Sequence, residues 1–479
     1  MSTPSRSTVA VIVLGDVGRS PRMQYHAHSL ASLPHTDVAL IGCRGERCFA
    51  SVEDHPRITQ HLMSAPFARA PRALWLLVAP LKVLHQVFTL LFILFCRIRA
   101  PRAILVQNPP SIPTLAIALC AARLRGARLI IDWHNFGYSI LALARGPRHP
   151  LVRFATVYER CFGRAADANL CVTNAMRLWL AKEWRIRATV LYDRPPVTFR
   201  PTSVDEKHAL LARLASVLAL PDGWGGGRPT VAMGRPPLSP PTAGGARRSS
   251  VTSSGGGGVV VGERRRAASV VSRTALTEMT ANGSVRLAPL RPALLVSSTS
   301  WTADEDLGML LDALEILDVR ASAAPNLLPY FLVVITGKGP GRAEFEARAA
   351  KIAWRRVAVR CVWLEQGDYP LLLGAADAGI SLHASSSGLD LPMKVVDMHG
   401  AGLPVLALNF ACLPELVRHQ QNGLVFISAQ QLARQLEDLF SGFPDEPSAG
   451  RLGDIREKVL SEQERWDQSW RKTAAPLLY

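Results

Sequence analysis

Short runs of consecutive apolar residues recur along the chain, spaced widely enough for a helix to fit between them. From Val9 to about Pro196 the runs are VAVIVLG, DVALIG, AILVQ, RLIIDW, ANLCVT and TVLYD. From Ala293 the pattern starts again with ALLVS, YFLVVITG, VAVRCVWL, AGISLH, PVLAL and GLVF. Strands that are apolar throughout must be covered on both faces, and alternation with helices lets them run parallel. The pattern predicts an α/β chain of two Rossmann-like, doubly wound domains facing each other across a cleft, one over residues 1–200 and one over 293–445. A helical tail is expected over 446–479. In open sheets of this kind ligands bind beyond the carboxyl ends of the strands, so the loops there are searched first.

Residues 201–292 link the halves. From Pro221 to Pro292 the composition turns to Gly, Pro, Ser and Arg, with no Phe or Tyr and with ten Arg against three acids. So few large apolar side chains cannot offset the entropy of ordering, and a mostly disordered basic insertion is expected over 221–292. Ala73–Cys96 is the opposite extreme, almost wholly apolar. Pro80 is expected to interrupt it, leaving Leu81–Cys96, roughly 24 Å of helix against a hydrocarbon core of about 30 Å. Lys82, Gln86 and Thr89 form a narrow polar stripe, and Arg69, Arg72, Arg97, Arg99 and Arg102 flank the segment. Basic flanks around a short apolar body predict a helix at about 81–96 lying in an anionic membrane surface; the alternative is a buried crossover helix. The first residues, MSTPSRSTVAVIVLGD, read as neither a signal peptide nor a spanning helix.

Lys and Arg number 55 against 38 Asp and Glu, a formal charge of +17 that favours anionic partners. Nucleic acid is disfavoured, because the basic insertion lacks interleaved aromatics for base stacking. The eight cysteines form no C-x-x-C pair, which points to a reducing compartment and away from zinc.

Candidate chemistry gathers at strand ends. In GDVGRSPR, Gly15 and Gly18 permit a tight turn, Ser20 and Pro21 suit a helix start, and Arg19 or Arg22 adds charge: an anion site. In DWHNFGYS, Asp132, His134 and Asn135 cluster, and a His beside an Asp is a candidate general base. In VSSTSWTADED, Thr302 and Glu305 have the spacing of a capping box, while Ser298, Ser300 and their neighbours offer hydroxyls and backbone N–H groups to a phosphate. VVITGKGP places Lys338 in a flexible turn. HASSSGLDLPMKVVDMHGAGLPV is the most informative stretch: Ser386, Ser387 and Gly388 lead into a helix on which Lys394 and Asp397 share a face. A cation for phosphates beside a carboxylate for ribose hydroxyls is the layout of a nucleotide-sugar site.

At these residues a resemblance to a known family emerges. GDVGRSPRMQYHA, IIDWHNFGYSIL, LYDRPP, LLVSSTSWTADED, ITGKGP and SLHASSSGLDLPMKVVDMHGAGLPV together resemble the chitobiosyldiphosphodolichol β-mannosyltransferases, across both halves but not the insertion. The resemblance implies a GT-B fold and an inverting transfer without metal or other cofactor. GDP-mannose would be the donor, bound by the second domain, and dolichol-diphosphate-linked chitobiose the acceptor, bound by the first. It implies a β-1,4 bond made for N-glycosylation at the endoplasmic reticulum membrane, with the catalytic domains on the cytosolic face. Other early dolichol-pathway glycosyltransferases would be possible partners. Asp16 and His134 both stand as candidate bases, with Arg22, Gly15 and Gly18 toward the acceptor diphosphate. Of the two carboxylates usual in the GT-B donor motif, Asp397 holds the second position, while the first falls on Leu389 with Asp390 adjacent. The usual Arg and Lys after the first donor-domain strand are replaced by serines and acids, leaving the donor diphosphate to Lys338, Lys394 and helix N-termini. Family members commonly carry an N-terminal membrane anchor, which is not evident here. Rival readings are another GT-B transferase acting on a related lipid-linked sugar and a non-catalytic membrane-surface scaffold.

Overall fold

The computed structural model describes residues 6–64, 75–224, 270–302, 305–365, 367–385, 387–444 and 450–478. Seven parallel strands make the first sheet: β1 (Ser7–Asp16), β2 (Thr36–Cys43), β3 (Ile58–Met63), β4 (Pro101–Asn108), β5 (Arg128–Trp133), β6 (Ala168–Cys171) and β7 (Thr189–Val190), in the order β3-β2-β1-β4-β5-β6-β7. β1 turns into α1 (Pro21–Ala31), and the short α2 (Ala50–Glu53) leads to β3. The chain then recrosses the sheet through α3 (Trp75–Phe92) and a π turn at Ile93–Arg97. Thereafter α4 (Thr114–Arg125), α5 (Gly137–Arg145), α6 (Pro150–Ala165) and α7 (Asn174–Trp184) separate the remaining strands. Because the crossover direction reverses at β3, α3, α4 and α7 share one face and α1 and α2 the other. The cores agree: Leu90 and Ile93 pack with Ala118 and Met176, whereas Met23 and Leu30 pack with Val52.

Two expectations need correction here. Pro80 does not end the apolar helix, which begins at Trp75; so near the start, its missing N–H costs a single hydrogen bond. As the sequence allowed, part of the helix is buried as a crossover helix, and its outer face is left apolar and exposed. Leu90, Ile93 and Leu94 are buried against the sheet, while Leu84, Phe88, Phe92 and Phe95 point outward. Pro80–Arg97 is long and apolar enough to cross a membrane by length and composition.

The link begins with α8 (Val204–Arg213), started by a capping box of Ser203 and Glu206. Residues 225–269 of the basic insertion lie outside the described residues, but its end is folded, as an antiparallel sheet of β8 (Val270–Arg273), β9 (Thr277–Thr280) and β10 (Val285–Leu287). Composition averaged over the whole segment hid the alternation in VSRTALTEMT. Leu276 packs with Leu210 and Leu211 of α8, and Thr277 bonds His208 at 2.8 Å.

Six parallel strands make the second large sheet: β11 (Ala293–Ser298), β12 (Phe331–Thr336), β13 (Val357–Val362), β14 (Ala378–Ser381), β15 (Val405–Leu408) and β16 (Gly423–Phe426), in the order β13-β12-β11-β14-β15-β16. Their connecting helices are α9 (Leu307–Ala323), α10 (Arg342–Ala349), α11 (Asp368–Ala375), α12 (Met393–Gly400) and α13 (Ala429–Phe440). The tail forms α14 (Gly450–Ser461), α15 (Trp466–Thr473) and α16 (Ala475–Leu478). α15 returns to the first domain, where Trp466 and Trp470 are buried with Met23 and Leu30.

A buried ion pair fixes the start of the second sheet. Arg291 forks onto Asp377 at 2.7 and 2.9 Å, and Asp377 also accepts the Leu294 N–H at 2.8 Å, joining the chain ahead of β11 to β14. Asp377→Ala would leave the guanidinium buried without its partner, at a cost of about 3–5 kcal/mol. Thermal unfolding should show a fall on the order of 10 °C; an unchanged transition would contradict this assignment.

Candidate functional site

The carboxyl end of β5 holds a single buried carboxylate on which three side chains converge, two from α1 and one from the loop after β5. Asp132 is fully buried. Arg22 of α1 forks onto it, Nε to Oδ2 at 2.8 Å and Nη2 to Oδ1 at 2.9 Å. His26, one turn further along α1, meets Oδ2 through Nε2 at 3.1 Å, and His134 does the same at 2.8 Å. Burial pushes the Asp132 carboxyl up, but the Arg22 charge and the two imidazoles outweigh it and hold it well below the usual carboxylate range. An ionised carboxylate only accepts, so both histidines must present N–H at Nε2. For His26 a second contact says the same: Trp470 of α15 donates its indole N–H to Nδ1 at 2.8 Å. Burial lowers the His26 pKa, which keeps that ring neutral.

His134 differs from His26 in its exposure. Its side chain is 21% exposed, and it lines a cleft of about 250 Å³ between the domains together with Gln107, Asn135, Asp193, Asp390 and Met393. With Nε2 held by Asp132, Nδ1 is the nitrogen left to exchange a proton there. The cleft is bridged at its margin. Asn135 donates to Asp390 at 3.2 Å, and Thr173 donates to the Leu389 carbonyl at 2.6 Å. Glu415 of the second domain accepts the Asn174 and Ala175 N–H groups at the start of α7, at 2.7 and 2.8 Å, and the Tyr192 hydroxyl at 2.9 Å.

The other residues singled out on the first domain have different duties. Asp16 caps its own turn: it accepts the Gly18 N–H at 3.0 Å and, through both oxygens, the Glu46 N–H at 3.0 and 3.1 Å. That carboxylate is engaged in holding the loop after β2. Gly18 serves the same loop, since a Cβ there would lie 2.2 Å from the Glu46 carbonyl oxygen. A Cβ at Gly15 would meet only the Val13 side chain, in ordinary contact at 3.9 Å. Arg22 does not face the cleft. It is 2% exposed and bonded to Asp132, to Asp193 at 2.8 Å and to the Leu191 carbonyl at 2.9 Å, so a diphosphate cannot reach it. A cation was legible in the sequence; its burial was not.

On the second domain the strand-end loops do converge. A Cβ at Gly337 would lie 1.8 Å from the Thr299 carbonyl oxygen and one at Gly339 1.9 Å from that of Ser300, so these glycines let the Lys338 loop pass against the serine loop. Lys338 is exposed and sits over the Trp363 ring at 3.8 Å. Ser298 is buried at the end of β11, and Ser300 is exposed. Ser387 donates to Asp390 at 3.1 Å, Ser385 also bonds that carboxylate, and Gly388 takes the left-handed φ of +71° that this turn requires. Ser386 lies outside the described residues.

Glu305 is the residue that sequence reasoning misassigned. Asp306, not Thr302, caps α9, accepting the Met309 N–H at 2.9 Å. Glu305 is instead buried, accepting the Ser300 N–H at 2.9 Å and pairing with Lys394. Asp397, a turn further along α12, is raised to about 8 by burial and by the charge of Asp193 from the opposite domain. Asp390 goes the other way: burial raises it, but hydrogen bonds from His383, Ser385 and Ser387 hold it below the usual range. Two carboxylates of one loop-and-helix unit are thus driven apart in proton affinity, as functional sites commonly require.

Comparison with known proteins bears on this geometry. Residues 292–441 match the family described as Glycosyl transferases group 1. The chain is similar to the chitobiosyldiphosphodolichol beta-mannosyltransferase of Mus musculus, 44% identical over 98% of this chain and 89% of the relative. It is also similar to the UDP-glycosyltransferase TURAN of Arabidopsis thaliana, 39% identical over 99% of this chain and 97% of the relative. Among solved structures, Anabaena Alr3699/HepE in complex with UDP and glucose aligns over 98% of this chain and 99% of its own, with a TM-score of 0.57 at 14% identity. That likeness shows the fold alone: GT-B, two Rossmann-like domains about a cleft.

The Asp132 cluster makes a pH-signed prediction. In Arg22→Gln the buried carboxyl loses the charge that keeps it ionised, so its folded-state pKa rises above the unfolded value of about 3.9. The folded state then favours the proton, and stability falls as pH rises from there toward the new pKa. The gap in melting temperature between wild type and variant should be wider at pH 7.5 than at pH 4.5. Equal gaps would mean that Arg22 does not hold the charge of Asp132.

Proposed function

The chain belongs to the chitobiosyldiphosphodolichol β-mannosyltransferase family, and on that premise we propose that it moves mannose from GDP-mannose to dolichol-diphosphate-linked chitobiose with inversion, forming a β-1,4 bond. It is a glycosyltransferase of GT-B fold. The observation that carries the residue assignment is the His134–Asp132 pair at the floor of the interdomain cleft. Inversion needs one base on the face opposite the leaving group. In this reading Nδ1 of His134 takes the acceptor hydroxyl proton, Asp132 steadies the imidazolium through Nε2, and Asn135 and Asp390 span the gap where the two sugars meet.

The departing diphosphate needs positive charge and N–H donors. In this reading no metal or other cofactor takes part, and Lys338, Lys394 and the backbone of the serine loops serve. Lys394 is paired with Glu305 in the ligand-free protein, so nucleotide binding competes with that carboxylate for the ammonium. Asp397, half-buried on α12, is suited to the sugar or ribose hydroxyls. The apolar outer face of α3 supports membrane attachment, with the reaction on the cytosolic side of the endoplasmic reticulum. The name of the Arabidopsis relative favours a second reading, a uridine-linked donor.

The deciding experiment offers the protein labelled GDP-mannose or UDP-linked sugars with a chitobiosyl-diphosphate lipid, and determines the product linkage. A β-1,4-mannosyl product from GDP-mannose alone is expected; transfer from the uridine donors alone would overturn the donor assignment. His134→Ala should lower kcat by about 10²–10⁴-fold with a smaller change in acceptor KM. Lys394→Ala should lower kcat at least about tenfold. Near-normal turnover in either variant rules out the role given to that residue.

A further inference from the structure

The face of the first domain that carries α3 also carries the α5–α6 hairpin, and the hairpin is unusually bare. None of the residues of α5 is buried. Ile140 and Leu143 on α5, and Leu151, Phe154 and Val157 on α6, are 46–71% exposed. Aliphatic and aromatic side chains left outward together mark a surface that meets something apolar. The hairpin is firmly held from below. Glu159 of α6, fully buried, accepts the Gly137 N–H at 2.8 Å, the Tyr138 N–H at 3.3 Å and the Asn108 side chain at 3.0 Å. It therefore fixes the start of α5, which begins two residues after Asn135.

The charge of this face selects what covers it. Between His55 and Tyr158, the stretch that supplies α3 to most of α6, the sequence has thirteen Lys and Arg and one acid. That acid is Asp132, buried beneath Arg22. The surface of this stretch is thus free of carboxylates, and Arg145, Arg148 and Arg153 are exposed beside the apolar residues of the hairpin. A protein partner of ordinary composition does not require such one-sided charge. An anionic bilayer does: apolar side chains enter the acyl boundary while arginines remain among the headgroups.

We propose that the α5–α6 hairpin docks into the surface of an anionic bilayer, as a second contact beside α3, and sets the height of the His134 cleft above the headgroups. Through it a lipid-borne acceptor reaches the base without leaving the leaflet; that consequence rests on the mannosyltransferase reading, whereas the docking itself does not.

The test uses the full chain and the double variant Leu143→Glu/Phe154→Glu, both at exposed positions. Co-flotation is measured with phosphatidylcholine vesicles with and without phosphatidylserine. Wild type should bind the phosphatidylserine vesicles more tightly, with binding that weakens as salt rises, and the variant should bind them at least about tenfold more weakly. Transfer to a long-chain acceptor in those vesicles should fall in step, while melting temperature and transfer to a short-chain acceptor in detergent stay unchanged. Equal flotation of variant and wild type overturns the proposal, as does equal binding to neutral vesicles. Loss of stability or of short-chain activity in step with flotation shows a structural role instead and overturns it too. A dimer that dissociates in the variant with flotation unchanged assigns the face to a second copy and overturns it. If wild type transfers sugar to neither acceptor while the flotation difference holds, the catalytic reading fails and the docking surface stands.

Discussion

The placement of His134 at the cleft depends on one buried negative charge. Asp132 ends a central strand, and a lone carboxylate there would neutralise itself by taking up a proton. Arg22 keeps it ionised, and that ionisation fixes the tautomers of two histidines. One of them, His26, is closed off by the indole of Trp470; the other, His134, opens to the cleft. The same interaction joins β5, α1 and the C-terminal tail, so the two ends of the chain meet behind the site. For the base proposed at His134, fixing the ring in this way lowers the cost of orienting it during reaction, the kind of preorganisation that catalysis favours.

The second domain solves a different problem. In the proposed reading it receives a strongly negative group with few cations, and its strand-end loops are packed closely enough that two glycines nearly touch neighbouring carbonyls. Lys394 rests against Glu305 and Asp397 carries a raised pKa, so the ligand-free site holds less net charge than its residue list suggests. Asn135–Asp390, Thr173–Leu389 and the Glu415 contacts with α7 hold the halves in register across the gap.

Much of the fold was legible because buried parallel strands must be apolar on both faces. β3 was not, since Thr59, Gln60 and His61 break its run at the sheet edge, where burial is incomplete. β8–β10 were hidden by the Gly- and Arg-rich residues around them. In the site, His134 and Asn135 were legible from their place after a strand, and so was the serine loop. The errors came from charge whose burial a linear sequence does not state. Arg22 read as a ligand for phosphate and Glu305 as a cap, and each serves an ion pair made over a long sequence separation. One signal was present: Arg22 and His26 stand four apart on the helix after the first strand, a single face aimed at one partner.

The central claim is that Asp132 holds His134 with its proton on Nε2 and its lone pair on Nδ1 at the cleft. Nitrogen-15 NMR of histidine-labelled protein near neutral pH reads this directly. We predict that His134 and His26 are both protonated at Nε2, and that Trp470→Phe disturbs His26 before it disturbs His134. A spectrum with the His134 proton on Nδ1 would leave no lone pair facing the cleft and would contradict the account.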